Sequence, residues 1–113
     1  MQRDLAYLRD IQESARLALV YLDGVEFESF ARDTQLQDAV IRRVEIIGEA
    51  ARRVSEGTRA AHPGLPWRQM IGMRNQVIHM YDGVDMEVVW STVRENLPEL
   101  LKALADIVDG DPS

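Results

Sequence analysis

The chain has no cysteine, a single lysine, few aromatics and no long apolar run. Without cysteine there are no disulfides, no thiolate metal sites and no cysteine nucleophile. The longest uninterrupted apolar stretches, such as Leu17–Leu22, fall far short of the roughly 18 residues that a membrane span requires. The opening MQRDLAYLRD has no apolar core behind its basic residue, so no signal peptide is expected. No segment alternates apolar and polar residues for long, so no strands are expected. Neither repeats nor low-complexity stretches occur. These absences fit a bacterial-style cytoplasmic protein that does not engage membranes.

What is present is ordinary for a soluble domain. The 113 residues are 46% hydrophobic and 28% charged, enough for one domain with one core. A net charge of −6 argues against coating nucleic acid by bulk electrostatics. The charge is unevenly distributed, however. Between residues 42 and 74 lie Arg42, Arg43, Arg52, Arg53, Arg59, Arg68 and Arg74 against three glutamates, a local balance of +4, so the rest of the chain carries −10. Lys102 is the sole lysine, and arginine offers a rigid donor fork suited to phosphate. One reading is a set of salt-bridged helix faces; the other is a local anion-binding surface.

Apolar spacing predicts helices almost throughout. Leu5, Leu8, Ile11, Ala15, Ala18 and Leu22 form one stripe that ends at Asp23-Gly24. Phe27 and Phe30 fall in a short connection. Thr34-Gln35-Leu36-Gln37 has the pattern of a capping box. It opens a second stripe of Leu36, Val40, Val44, Ile47, Ala51 and Val54, closed by Gly57. Gly48, inside that helix, costs about 1 kcal/mol in propensity, and a close helix–helix contact is the expected compensation. Residues 57 to 66, GTRAAHPGLP, read as the one clear loop. Pro66-Trp67 opens a third helix expected to run to His79 or Met80. Tyr81-Asp82-Gly83 ends it, and Asp85 caps the next. Val89, Val93, Leu97, Leu100, Leu104 and Ile107 continue the stripe, with Pro98 forcing a kink or restart. The expectation is an all-α, up-and-down bundle with four main helices, a single domain over residues 1–109 and a frayed tail at 110–113.

One stretch carries more chemistry than packing needs: residues 70 to 83, MIGMRNQVIHMYDG. On a helix Asn75 and His79 lie four apart and share a face, Arg74 can swing toward the same end, and Tyr81 follows just beyond. Such groups suit attack on a phosphodiester by its own 2′-hydroxyl. Histidine holds either protonation state near neutral pH, arginine stabilises the charge gained in the transition state, and asparagine orients the histidine or the phosphate. No metal or cofactor is required. Spacing alone is weak evidence, because twelve arginines give many chances for one to precede a histidine. A histidine at a helix end is also favoured by the helix dipole alone.

The stretch resembles the R-x4-H-x-Y motif of the HepT-like branch of the HEPN superfamily: Arg74, four residues, His79, one residue, Tyr81, with Asn75 as the polar residue after the arginine. RDLAYLRDIQES, AVIRRVEIIGEAARRVS, LPWRQMIGMRN, DMEVVW and NLPELLKAL are similar to the same branch, in order, over about residues 3–105. The resemblance implies a HEPN-like bundle that forms a homodimer, with the two motif helices facing each other across a shared cleft. It also implies a ribonuclease toxin whose antitoxin is a minimal nucleotidyltransferase. On that pattern Arg74 and His79 are the catalytic pair acting on RNA (mRNA or tRNA) and Asn75 supports them. Tyr81 matches the tyrosine that the antitoxin modifies with AMP. The alternative is a non-catalytic docking subunit of a nucleotidyltransferase complex, using the cluster to bind nucleotide or phosphate.

Other polar residues read more plainly. Glu49 either pairs with Arg52 or Arg53 along its helix or reaches across to hold Arg74. His62, before a proline, reads as a solvated loop residue, Trp67 as a core anchor rather than a base-stacking platform, and Met70, Met73 and Met80 as packing. Arg42, Glu45, Glu49 and Arg53 trace one mixed-sign face, usually a solvated one.

Overall fold

A computed structural model describes residues 2–79 and 85–110; the side chains of residues 2 and 74–79 fall outside that description. Every regular element among the described residues is helical. Helix α1 spans Gln2–Leu22, α2 Phe27–Arg32, α3 Thr34–Arg53, α4 Glu56–Ala61, α5 Trp67–His79, α6 Met86–Ser91 and α7 Leu97–Val108, with a π-helical segment Thr92–Asn96 joining α6 to α7. Counting α6, the π segment and α7 as one rod gives the four main helices that the apolar spacing predicts.

The predicted stripes are the core. Leu5, Leu8, Ile11, Ala15, Ala18 and Leu22 of α1 are all buried, as are Val40, Val44, Ile47 and Ala51 of α3. Each large side chain so buried contributes roughly 1.5–3 kcal/mol. On the last rod Val89, Val93, Leu97, Leu100 and Leu104 are buried, but the stripe closes on Val108 while Ile107 is only half-buried. The step of four from Leu104 keeps the next apolar residue on the same face. Gly48 is buried within α3, the central helix, which packs on α1 along one side and α5 along the other. Two long-range contacts fix an up-and-down arrangement. The start of α1 meets the end of α3 through Asp4 and Ser55, and its end meets the last rod, where Arg94 donates to the Leu22 carbonyl at 3.3 Å.

Three local expectations are corrected. The connection holding Phe27 and Phe30 is itself a helix, α2, because Phe30 is fully buried and both rings pack on Trp90, at 5.6 and 5.5 Å between centroids. The cap of α3 is Asp33 rather than Thr34: its carboxylate accepts from the Leu36 amide at 3.0 Å, while Gln37 turns away to donate to the Phe30 carbonyl. An aspartate one position earlier outcompetes the capping-box pattern. Finally, α3 ends at Arg53, well before Gly57, and half of the expected loop is helix α4, opened by Ser55, whose hydroxyl accepts from the Thr58 amide. Asp23-Gly24 ends α1 as expected, with Gly24 at φ +72°, a left-handed turn that favours glycine.

Pro98 sits in the first turn of α7, directly after the π-helical segment, so the helix restarts there as expected. Proline lacks an amide hydrogen and its ring collides with the carbonyl four residues back. Widening the preceding turn accommodates both, and the Leu97 amide bonds to the Thr92 carbonyl, five residues back.

Candidate functional site

Helix α5 is positioned at its start by Trp67. The indole is half-buried against the core, and its Nε1 donates to the His62 carbonyl at 2.9 Å. Trp67 is therefore an anchor, as its sequence suggests. His62 is the half-buried C-cap of α4, not a solvated loop residue. Met70 and Met73 are buried, and α3 is the chief neighbour of α5. The helix continues through His79, so Arg74, Asn75 and His79 all fall in its second half, with Asn75 and His79 one turn apart. Their side chains lie outside the described residues, as does Tyr81 entirely.

Glu49 is half-buried on α3 and lines a hollow of about 90 Å³ with Tyr7, Asp10, Ile46, Ala50 and Arg53. Whether it meets Arg74 turns on a side chain outside the described residues. Among the described residues the arginines between 42 and 68 are spread over different surfaces. Arg53 lines this hollow, Arg68 lines a groove on the other flank of α5, and Arg42 and Arg52 are exposed on α3.

That groove was not legible as a site from the sequence. A cavity of about 600 Å³ between α5 and the α6–π segment is lined by Arg68, Gln69, Gly72, Met73, Thr92 and Asn96 among others. A second, of about 400 Å³, shares Gln69, Met73 and Asn96 and continues toward Pro66 and Leu100. Its two walls come from segments more than twenty residues apart in the chain. The only sequence signal was Pro98, whose accommodation creates the π turn. Such turns recur at functional sites.

One further cluster invites a catalytic reading and fails it. The Asp4 carboxylate, buried at 7% exposure, accepts from the Ser55 hydroxyl at 2.6 Å, the Thr58 hydroxyl at 2.5 Å and the Ser55 amide at 3.0 Å. The Ser55 hydroxyl, then that of Thr58, then the amide hold its pKa at about 2, against a smaller upward push from burial. Both hydroxyls give their protons to a carboxylate too acidic to act as a base near neutral pH. The cluster is a structural tie between α1 and the α3–α4 junction. Among the described residues no group of three histidine, aspartate or glutamate side chains could hold a metal ion.

The bundle, with an arginine, an asparagine and a histidine spaced over the second half of one helix, defines a class of small all-α proteins carrying a compact polar motif. The chain belongs to the ribonuclease HepT-like family, which it matches over residues 7–107. It is 45% identical over 94 residues to a protein of Thermococcus cleftensis named probable ribonuclease HepT, covering 83% of this chain and 86% of that protein. It is 38% identical over 102 residues to a protein of Methanocaldococcus jannaschii named as a candidate RNase, covering 89% and 94%. A third relative, from Caldanaerobacter subterraneus subsp. tengcongensis and named in the same way, is 34% identical over 108 residues, covering 96% of each chain. No solved structure matches the chain.

Proposed function

We propose that the chain is a metal-independent endoribonuclease, the toxin of a pair whose antitoxin is a minimal nucleotidyltransferase, and that it cleaves mRNA or tRNA with Arg74 and His79. The observation that carries this reading is the R-N-x3-H-x-Y pattern in a chain of the ribonuclease HepT-like family, its first six residues on one unbroken helix. A base takes the proton of the 2′-hydroxyl, whose oxygen attacks the adjacent phosphorus. The 5′-oxygen leaves with a proton from an acid, giving a 2′,3′-cyclic phosphate and a 5′-hydroxyl. Arg74 neutralises the charge gathered on the phosphoryl oxygens, and Asn75, with Glu49 behind, holds the donors in place. One motif supplies one histidine, while this reaction uses both a base and an acid. A homodimer related by a two-fold axis supplies the second.

Tyr81 is the acceptor of AMP from the antitoxin. Its phenol oxygen bonds to the α-phosphorus of ATP, the bond from that phosphorus to pyrophosphate breaks and pyrophosphate departs, and the phenol proton passes to solvent or the antitoxin. The added phosphate places negative charge where the RNA phosphate must sit.

The test is cleavage of RNA by the purified protein in excess EDTA beside Arg74→Ala and His79→Ala, each confirmed helical and dimeric. Cleavage by wild type with cyclic-phosphate ends, lost in both variants, is expected. No cleavage by wild type, or equal cleavage by all three, would leave the chain a docking subunit of a nucleotidyltransferase complex.

A further inference from the structure

The groove between α5 and the α6–π–α7 rod belongs to no part of the chemistry above, yet it lies on the same helix. Gly72 lines it, and seven residues on, two helical turns or about 10 Å along the axis, comes His79 on the same face. A strand leaving a reaction centre at His79 along that face of α5 would enter the groove. Its floor is apolar, with Met73, Val88 and Leu100, and its polar walls are the amides of Gln69 and Asn96. Both amides are exposed, and neither has a hydrogen-bond partner among the described residues. Gly72 leaves open space where a side chain would stand.

The charges decide what part of a nucleotide fits. Arg68 shares the larger cavity with Asp85 and Glu87, and Glu99 lines the smaller one, so three carboxylates outweigh one guanidinium and a phosphate seated here would be repelled. Asp85 is already engaged, capping α6 through the Glu87 amide at 3.0 Å. An uncharged base suits the groove well: its ring covers the apolar floor, and its edge meets groups that both donate and accept. Glutamine and asparagine pair with adenine through two hydrogen bonds. Unpaired RNA bases are read along these edges. Uracil has no amino group to offer.

We propose that this groove is a base-reading subsite that seats an unpaired adenine, in preference to uracil, beside the scissile bond, with Gln69 and Asn96 as the reading side chains. The proposal rests on the RNA-cleaving reading, but binding tests it separately from cleavage. The probes are short 2′-O-methyl homo-oligonucleotides of A and U, which lack the attacking hydroxyl, titrated by fluorescence anisotropy against the full chain and Gln69→Ala/Asn96→Ala. Both side chains are exposed, so the variant keeps its fold, as circular dichroism will show.

Wild type is expected to bind the A strand about tenfold more tightly than U, and the variant to bring that ratio within about twofold. No preference in wild type, or a preference that survives the substitutions, overturns the proposal. A change of oligomeric state in the variant by sedimentation also overturns it, showing the groove filled by a second copy. A preference that is lost as expected, in a protein that cleaves nothing, would uphold the subsite and sink the nuclease reading instead. Cleavage with no base preference would do the reverse.

Discussion

Replacing Asp4 by asparagine should destabilise the protein at neutral pH and have little effect in acid. The carboxylate is buried and accepts three hydrogen bonds, which lower its pKa from 3.8 to about 2. At about 1.4 kcal/mol per pH unit, that displacement corresponds to roughly 2 kcal/mol. Because the folded-state value is the lower one, this stability is fully present above about pH 4 and is lost as pH falls through 3.8 toward 2. Asp4→Asn keeps the shape but removes the charge, so it forfeits the contribution at pH 7, about 8 °C of melting temperature at about 4 °C per kcal/mol for a chain of this size. Below the folded pKa wild type is protonated too, and the gap closes.

The assay is urea unfolding followed by far-UV circular dichroism, at pH 7 and in steps from pH 4 to 2. Glu13→Gln is the control. Glu13 also has a lowered pKa, through Arg16 at 2.6 Å, but the pair is exposed and screened by solvent. A loss below about 0.5 kcal/mol in Asp4→Asn at pH 7, or a gap unchanged between pH 7 and pH 2, would refute the tie between α1 and the α3–α4 junction.

Two further substitutions probe the local corrections. Asp33→Ala should cost about 1 kcal/mol, the usual value of an N-cap, while Thr34→Ala changes little, as measured by urea unfolding. The reverse order would restore the capping box. Gly72→Ala should raise stability by up to about 1 kcal/mol, since the glycine sits in a helix interior with nothing within 4 Å of the added carbon. A lower melting temperature by calorimetry would show that the space is not open.

The main helices were legible because their apolar residues follow one period and because a buried face tolerates few exceptions. Leu5 to Leu22 and Val40 to Val54 are buried almost residue for residue. What escaped was set by single polar atoms or by distant partners. Asp33 and Thr34 are both good caps, and only the path of the chain after Phe30 decides between them. Helices α2 and α4 are six residues each, too short to form unless packing or caps hold them. The partners that hold them, Trp90 for α2 and Asp4 for α4, lie some 50 to 60 residues away in sequence. Of the site, the motif was legible because it occupies eight consecutive residues. The groove was not, since nothing local in Gln69 or Asn96 reveals that they share a cavity.

Helix α5 is held on one side and open on the other, and this asymmetry links stability to the proposed function. Among the described side chains its fixed points are Trp67 on the His62 carbonyl and the buried Met70 and Met73, and α3 carries its main contact. The opposite flank keeps a glycine where alanine would stabilise the helix, and faces exposed amides that have no hydrogen-bond partner among the described residues. A bundle selected for stability alone would fill such a flank, because burying even one more leucine there would contribute roughly 1.5–3 kcal/mol. Retaining the space on the helix that carries Arg74 and His79 is what a substrate passage requires. On the proposed reading, the acidic surface elsewhere would keep RNA from binding broadly and leave recognition to the local arginine and the base edges rather than to bulk charge.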